Sequence, residues 1–158
     1  HNLTPQHLKI EITESIALDT NKAKNTLHQL AEAGFEISID DFGTGFSSLS
    51  RLHELPVNEL KIDMSFVRRI ATEEGKIMLQ TIVDMGKAMK LNLVAEGVEA
   101  EETVYALRLM GVQNLQGYYF SRPPPHKECL QFINNNIQQL NGDDSLPLPS
   151  REKKAIQG

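Results

Sequence analysis

Two adjacent carboxylates, Asp40 and Asp41, end the apolar run Phe35-Glu36-Ile37-Ser38-Ile39, and Phe42-Gly43-Thr44-Gly45-Phe46-Ser47-Ser48 follows at once. Neighbouring negative charges at the end of a buried strand repel each other, and desolvation adds to the cost. A cation or a proton relieves it. The arrangement recurs in Leu8-Lys9-Ile10-Glu11-Ile12-Thr13-Glu14 and in Leu91-Asn92-Leu93-Val94-Ala95-Glu96. In chain order, the strand ends offer Glu11 with Glu14, Asp40 with Asp41, Lys61, Glu96 with Glu99, and Gln116. Hard oxygen donors suit Mg²⁺ or Mn²⁺. The five histidines are scattered away from these strands, and no Cys/His cluster has zinc spacing. The chemistry such a set suggests is metal-assisted hydrolysis: carboxylates hold metal, metal lowers the pKa of a water, and hydroxide attacks phosphorus. Lys61 would orient that hydroxide or stabilise developing negative charge.

Each residue also has a plainer reading. An Asp after a strand often forms a turn or caps a helix. Lys61 in Leu60-Lys61-Ile62-Asp63 could be a snorkelling surface lysine. Glu96 and Glu99 could cap the following helix, and Gln116 could satisfy backbone. No single-residue explanation accounts for their recurrence at successive strand ends.

The elements that must position these residues alternate between apolar strand-like runs and helical patterns. Strands are expected at about 8–13, 35–40, 59–63, 92–96 and 112–118. Between the first two lies a helix with Thr20 as N-cap, a stripe of Ala23, Leu27, Leu30 and Ala31, and Gly34 as its stop. Further helices are expected over about 47–55, 74–90, 100–110 and 126–140. Met78, Ile82, Met85 and Met89 mark the inner face of the second of these, and Leu130, Ile133 and Ile137 that of the last. Alternating β and α units imply α/β architecture with a parallel sheet. Either an open doubly wound sheet or a (β/α)8 barrel fits. The absence of a Gly-rich dinucleotide fingerprint, and polar residues at one strand's C-terminal end after another, favour the TIM-like barrel. On that reading the chain supplies five of the eight strands. Its strands are expected to be buried on both faces.

The bulk numbers exclude several classes. The chain has 158 residues, 40% of them hydrophobic, and a net charge of −5. A polymeric nucleic acid partner would call for a basic excess, so neither DNA nor RNA is expected. The single Cys129 rules out an internal disulfide framework and fits a reducing cytosol. No apolar run of about 18 residues offers a membrane span, although a parent protein could be anchored elsewhere. The chain opens on His1-Asn2-Leu3 without an initiator Met, as a fragment would. Residues 141–158 lack periodicity and read as a flexible tail after a portion of a domain covering 1–140.

The segments Glu11-Ile12-Thr13-Glu14-Ser15, Asp40-Asp41-Phe42-Gly43-Thr44-Gly45, Leu60-Lys61-Ile62-Asp63, Ala95-Glu96-Gly97-Val98-Glu99 and Gln116-Gly117-Tyr118-Tyr119-Phe120-Ser121-Arg122-Pro123 together resemble the EAL domain. That family hydrolyses the bacterial second messenger cyclic di-GMP to linear pGpG. The resemblance covers about residues 3–133 and implies a metal-dependent phosphodiesterase using two Mg²⁺ or Mn²⁺ ions, dimeric and cytoplasmic. By resemblance, Glu11, Asp40 and Asp41 bind metal, with Asp41 between the two ions. Lys61 matches the lysine beside the attacking water. Glu96 matches a further acidic residue that has been argued to be the general base. Gln116 matches a residue holding the hydrolytic water. Glu14 matches the glutamate that steadies the loop after Asp41, and Glu99 an additional acidic position near the site. The loop Phe42, Gly43, Thr44, Gly45, Phe46, Ser47 and Ser48 resembles the regulatory segment coupling dimerisation to metal binding.

The Glu-Ala-Leu tripeptide that names the family is absent, as is the Asn-bearing strand after it. The five strands then correspond to the fourth to eighth of the barrel, and a fragment lacking those Glu and Asn ligands is expected to be inactive by itself. Two other functions compete: a catalytically inactive EAL-like sensor or interaction module, and another metal- and lysine-dependent barrel enzyme such as an enolase-like proton abstractor.

Overall fold

A computed structural model of the chain describes residues 2–19, 21–43 and 49–140. They fall into two compact units, the first ending at Tyr119 and the second beginning at Phe120. The first unit runs β1 (Lys9–Thr13), α1 (Glu14–Asp19), α2 (Asn21–Glu32), β2 (Glu36–Phe42), α3 (Leu49–His53), β3 (Glu59–Ile62), α4 (Met64–Arg68), α5 (Glu73–Ala88), β4 (Asn92–Ala95), α6 (Glu101–Met110) and β5 (Asn114–Leu115). The second holds α7 (His126–Leu140). The five strands form one parallel sheet in the order β1-β2-β3-β4-β5. All their C-terminal ends therefore share one edge.

Side chains alternate across a strand, and the pairing register keeps that alternation aligned. One face presents Lys9, Glu11, Glu36, Ser38, Asp40, Glu59, Lys61, Asn92 and Val94. The other presents Ile10, Ile12, Ile37, Ile39, Leu60, Ile62, Leu93 and Ala95. The expectation of strands buried on both faces holds for β3, but one buried face is polar. Only the apolar face joins the core, where Ile39, Leu60, Ile62, Leu93 and Ala95 pack with Leu79, Ile82 and Val83 of α5 and Val104 and Leu107 of α6.

The helix boundaries have local causes. Thr72 caps α5 by accepting from Gly75 N, with Glu73 and Glu74 in the first turn and Lys87 in the last. Asp63 caps α4 by accepting from Ser65 N at 2.9 Å. Gly111, at φ 89°, ends α6 in the left-handed conformation.

Several expected elements differ from those observed. Neither α1 nor α4 was anticipated, since each is shorter than the pattern a 3.6-residue period needs to show itself. The last strand is only Asn114–Leu115, although backbone hydrogen bonds continue past it, from Gln116 N to Ala95 O and from Val98 N to Gln116 O. The buried face of α5 is Leu79, Ile82, Val83 and Gly86; Met85 and Met89 flank it, but Met78 is exposed. Leu130 and Ile133 of α7 are also exposed rather than inward. Thr20 and residues 44–48 and 141–158 lie outside the described residues, so the expectations placed on them have no structural counterpart.

Gly86 shows how tightly α5 meets the sheet: a Cβ there would strike the Leu93 side chain. Alanine in a helix interior is worth about 1 kcal/mol over glycine, whereas overpacking a core costs about 1–3 kcal/mol. Gly86→Ala should therefore lower the unfolding midpoint. In a Leu93→Ala background the same substitution should raise it. A stabilising Gly86→Ala in the parent would show that this contact is not tight.

Candidate active site

A single lysine organises the C-terminal edge. Lys61 Nζ lies 2.9 Å from Glu11 Oε2, 3.0 Å from Asp40 Oδ1 and 2.9 Å from Glu96 Oε1. β1 and β3 are not neighbours; about 9–10 Å separates strands two apart. Glu11 and Lys61 therefore reach towards each other across β2. The Lys61 side chain is only 8% exposed, so it is not a surface lysine. Burial pulls its pKa down. Hydrogen bonds to Glu96, Glu11 and Asp40 more than reverse this, leaving the ammonium well above the usual lysine range.

Adjacent strand residues ordinarily point to opposite faces, which would separate Asp40 from Asp41. A bulge prevents it. The register runs Ile39↔Leu60 and then Phe42↔Ile62, so Asp40 and Asp41 together oppose Lys61. Asp41 takes φ 53°, in the left-handed region that Asp enters more readily than most residues. Its N–H donates to Asp40 Oδ1 at 3.1 Å. Ligand oxygens of Asp40, Asp41 and Glu96 then lie within 4.8 Å of one another. At that spacing each pair of charges repels by a few kcal/mol at an effective dielectric constant near 20. One ammonium cannot balance these three carboxylates and Glu11. The excess charge and the hard oxygen donors fit a divalent cation.

The remaining candidates are placed differently. Glu14 opens α1 instead of extending β1, so the strand ends between it and Glu11. It is buried, and its Oε2 accepts from Gly43 N at 2.8 Å. Gly43 itself has φ 97°, and a Cβ there would lie 2.6 Å from the Phe66 ring. Gln116 sits beside Glu96: its N–H donates to Ala95 O, and its carbonyl accepts from Val98 N. Its side chain is exposed. Glu99 stands apart from the lysine cluster, exposed and 3.3 Å from Arg68. Neither Glu96 nor Glu99 caps α6, whose N-cap is Ala100 without a side-chain bond. Of the loop, only Phe42, buried, and Gly43 are described.

Sequence reasoning overlooked a second polar cluster on the same face. Lys9 Nζ lies 2.6 Å from Glu59 Oε2 and 3.6 Å from Glu36 Oε2, while Ser38 Oγ donates to Glu59 Oε1. The hydrogen bond to Glu59 raises the Lys9 pKa against the pull of burial. The signal was available in the period-two polar alternation of β1, β2 and β3.

A lysine-centred acidic cluster at the C-terminal edge of a parallel α/β sheet is the arrangement of a barrel protein with its chemistry at the strand ends. The model of the EAL domain matches residues 1–123, and the chain belongs to that family, whose fold is a TIM-like barrel. Over 135 residues, 84% of the chain, it is 44% identical to the signaling protein YkoW of Bacillus subtilis and 43% identical to the bifunctional diguanylate cyclase/cyclic di-GMP phosphodiesterase MucR of Pseudomonas aeruginosa. It spans 17% and 20% of their lengths. The structure of the MucR phosphodiesterase in complex with c-di-GMP superposes with a TM-score of 0.79 at 43% identity, covering 82% of this chain and 53% of that one. The Klebsiella pneumoniae BlrP1 manganese/cy-diGMP complex gives 0.71 at 33% identity, covering 77% and 31%. Among the described residues no helix is long and apolar enough to cross a membrane.

The Glu14–Gly43 bond predicts a local effect. A hydrogen bond to a charged acceptor contributes about 1.5–3 kcal/mol. Glu14→Ala should speed hydrogen exchange at the Gly43 amide by about 10- to 100-fold. An unchanged exchange rate would remove Glu14 from the control of this loop.

Proposed function

We propose that the complete domain to which this chain belongs is a metal-dependent phosphodiesterase that hydrolyses cyclic di-GMP to linear pGpG. The observation that carries the reading is the bulge that sets Asp40 and Asp41 together, beside Glu96 and around Lys61. It is supported by the cyclic di-GMP and manganese in the complexes of similar proteins. Glu11, Asp40 and Asp41 would hold two ions, Mg²⁺ or Mn²⁺. Bound metal supplies a water of lowered pKa, and so a hydroxide nucleophile at neutral pH.

This chain's own residues do the rest. Water adds its oxygen to one phosphorus, one ring P–O ester bond breaks, and the leaving oxygen takes the proton. Lys61 stabilises negative charge at the nucleophile without binding metal. Glu96 accepts a proton, and Gln116 orients the water. Glu14 holds the segment after Asp41 through Gly43. The loop Phe42–Ser48 would transmit dimerisation to the metal site. A second messenger as substrate supports a cytoplasmic setting for the domain.

Two sets of variants in the full-length protein test the assignment. Asp40→Ala and Asp41→Ala should each lower metal-dependent turnover by at least about 10²-fold. Lys61→Ala should lower kcat far more than it weakens cyclic di-GMP binding. Near-parental turnover in both aspartate variants would refute the metal assignment. A parent that binds cyclic di-GMP without hydrolysing it would establish the sensor reading instead.

Residues 1–158 alone should not turn over cyclic di-GMP appreciably. The open edges of β1 and β5 would need pairing partners, and the family's N-terminal Glu and Asn are not in this sequence. Adding the upstream segment should restore turnover. A monomeric preparation of 1–158 as active as the full-length protein would contradict this.

A further inference from the structure

Two ion pairs of opposite sense join β1 to β3 on the polar face. Lys9 of β1 meets Glu59 of β3 at 2.6 Å, and two residues further along each strand Glu11 meets Lys61 at 2.9 Å. Only the second pair belongs to the candidate active site. In the first, Glu59 is as buried as Lys61, with side chains each 8% exposed. Its two oxygens are divided between Lys9 and the hydroxyl of Ser38.

Glu59 and Lys61 share a strand and a face, with Cα atoms about 6.6 Å apart at the usual rise. A lysine stem spans that distance. A buried carboxylate that loses its cation is strongly disfavoured and takes another cation or a proton. Without Lys9, the nearest other ammonium on its own strand and face is that of Lys61. Glu59 is thus a built-in competitor for the lysine that Glu11, Asp40 and Glu96 hold.

We infer that Lys9 is a positioning residue for the site: by engaging Glu59, it leaves the Lys61 ammonium to the carboxylates at the C-terminal edge. Its effect on turnover rests on the phosphodiesterase reading, but its effect on the carboxylate cluster does not. Withdrawing Lys61 towards Glu59 removes a positive charge from Asp40, Asp41 and Glu96. Affinity for a divalent cation should then rise while catalysis falls, a split that general loosening of the fold would not produce.

The test compares Lys9→Met, Glu59→Gln, the double variant and Lys9→Arg in the full-length protein. Mn²⁺ binding is followed by electron paramagnetic resonance, and cyclic di-GMP turnover is assayed in parallel. Lys9→Met should bind Mn²⁺ at least about threefold more tightly and turn over about tenfold more slowly. Glu59→Gln, the double variant and Lys9→Arg should all match the parent, because each either removes the competitor or keeps the cation. Unchanged Mn²⁺ affinity in Lys9→Met would overturn the inference, as would a double variant no better than Lys9→Met. If Lys9→Met does not fold, Glu59→Gln decides: parental behaviour supports the inference, and damage there makes the pair structural only. A parent that binds Mn²⁺ but does not hydrolyse cyclic di-GMP sinks the phosphodiesterase reading, and the Mn²⁺ comparison still decides this one.

Discussion

A buried ammonium that touches two carboxylates within strands and a third just past the end of another constrains most of this structure. Lys61 can meet Glu11, Asp40 and Glu96 only if β1, β2, β3 and β4 hold their order and register. The register depends in turn on the apolar side of the same strands packing under α5 and α6. Burying the Lys61 ammonium is unfavourable unless it is well paired, and the three carboxylates pair it. Asp41 adds a further carboxylate to a cluster already richer in carboxylate than in ammonium. That surplus makes the edge suited to a divalent cation.

The bulge at Asp40 and Asp41 turns sheet geometry into site geometry. A regular strand would point one carboxylate to the polar face and the other into the helices. One extra residue, with Asp41 at positive φ, brings both to the same cluster. Phe42 then returns to the apolar side opposite Ile62, and the core continues unbroken. The Glu14–Gly43 bond fastens the chain just past the bulge. Local strain, packing and charge placement thus meet within four consecutive residues.

Much of this was legible in the sequence, for physical reasons. Parallel strands leave their C-terminal residues on one edge, so Glu11, Asp40, Asp41, Lys61 and Glu96 could be expected to meet without knowledge of angles. The alternating α/β order was legible from periodicity. What escaped notice depends on geometry that periodicity does not encode. The first strand ends at Thr13 as its apolar alternation suggests, but the short helix that Glu14 opens was not legible. The Gln116 run looked like a full strand, but only Asn114–Leu115 is regular strand. Met78 fitted a helical stripe, but the buried face of the helix is Leu79, Ile82, Val83 and Gly86, and Met78 is exposed. The Lys9–Glu59 pair is not marked by any strand end, because these residues lie at strand beginnings.

The bulged aspartates and their neighbours are proposed to form a divalent cation site. Anomalous diffraction from crystals of the full-length protein grown with Mn²⁺ tests it most directly. An anomalous peak is expected within about 2.0–2.6 Å of oxygens from both Asp40 and Asp41, the range for hard cations on carboxylates. Lys61 should stand beside that peak without ligating it. A protein that hydrolyses cyclic di-GMP with Mn²⁺ while its only anomalous peak lies away from Asp40 and Asp41 would contradict the account.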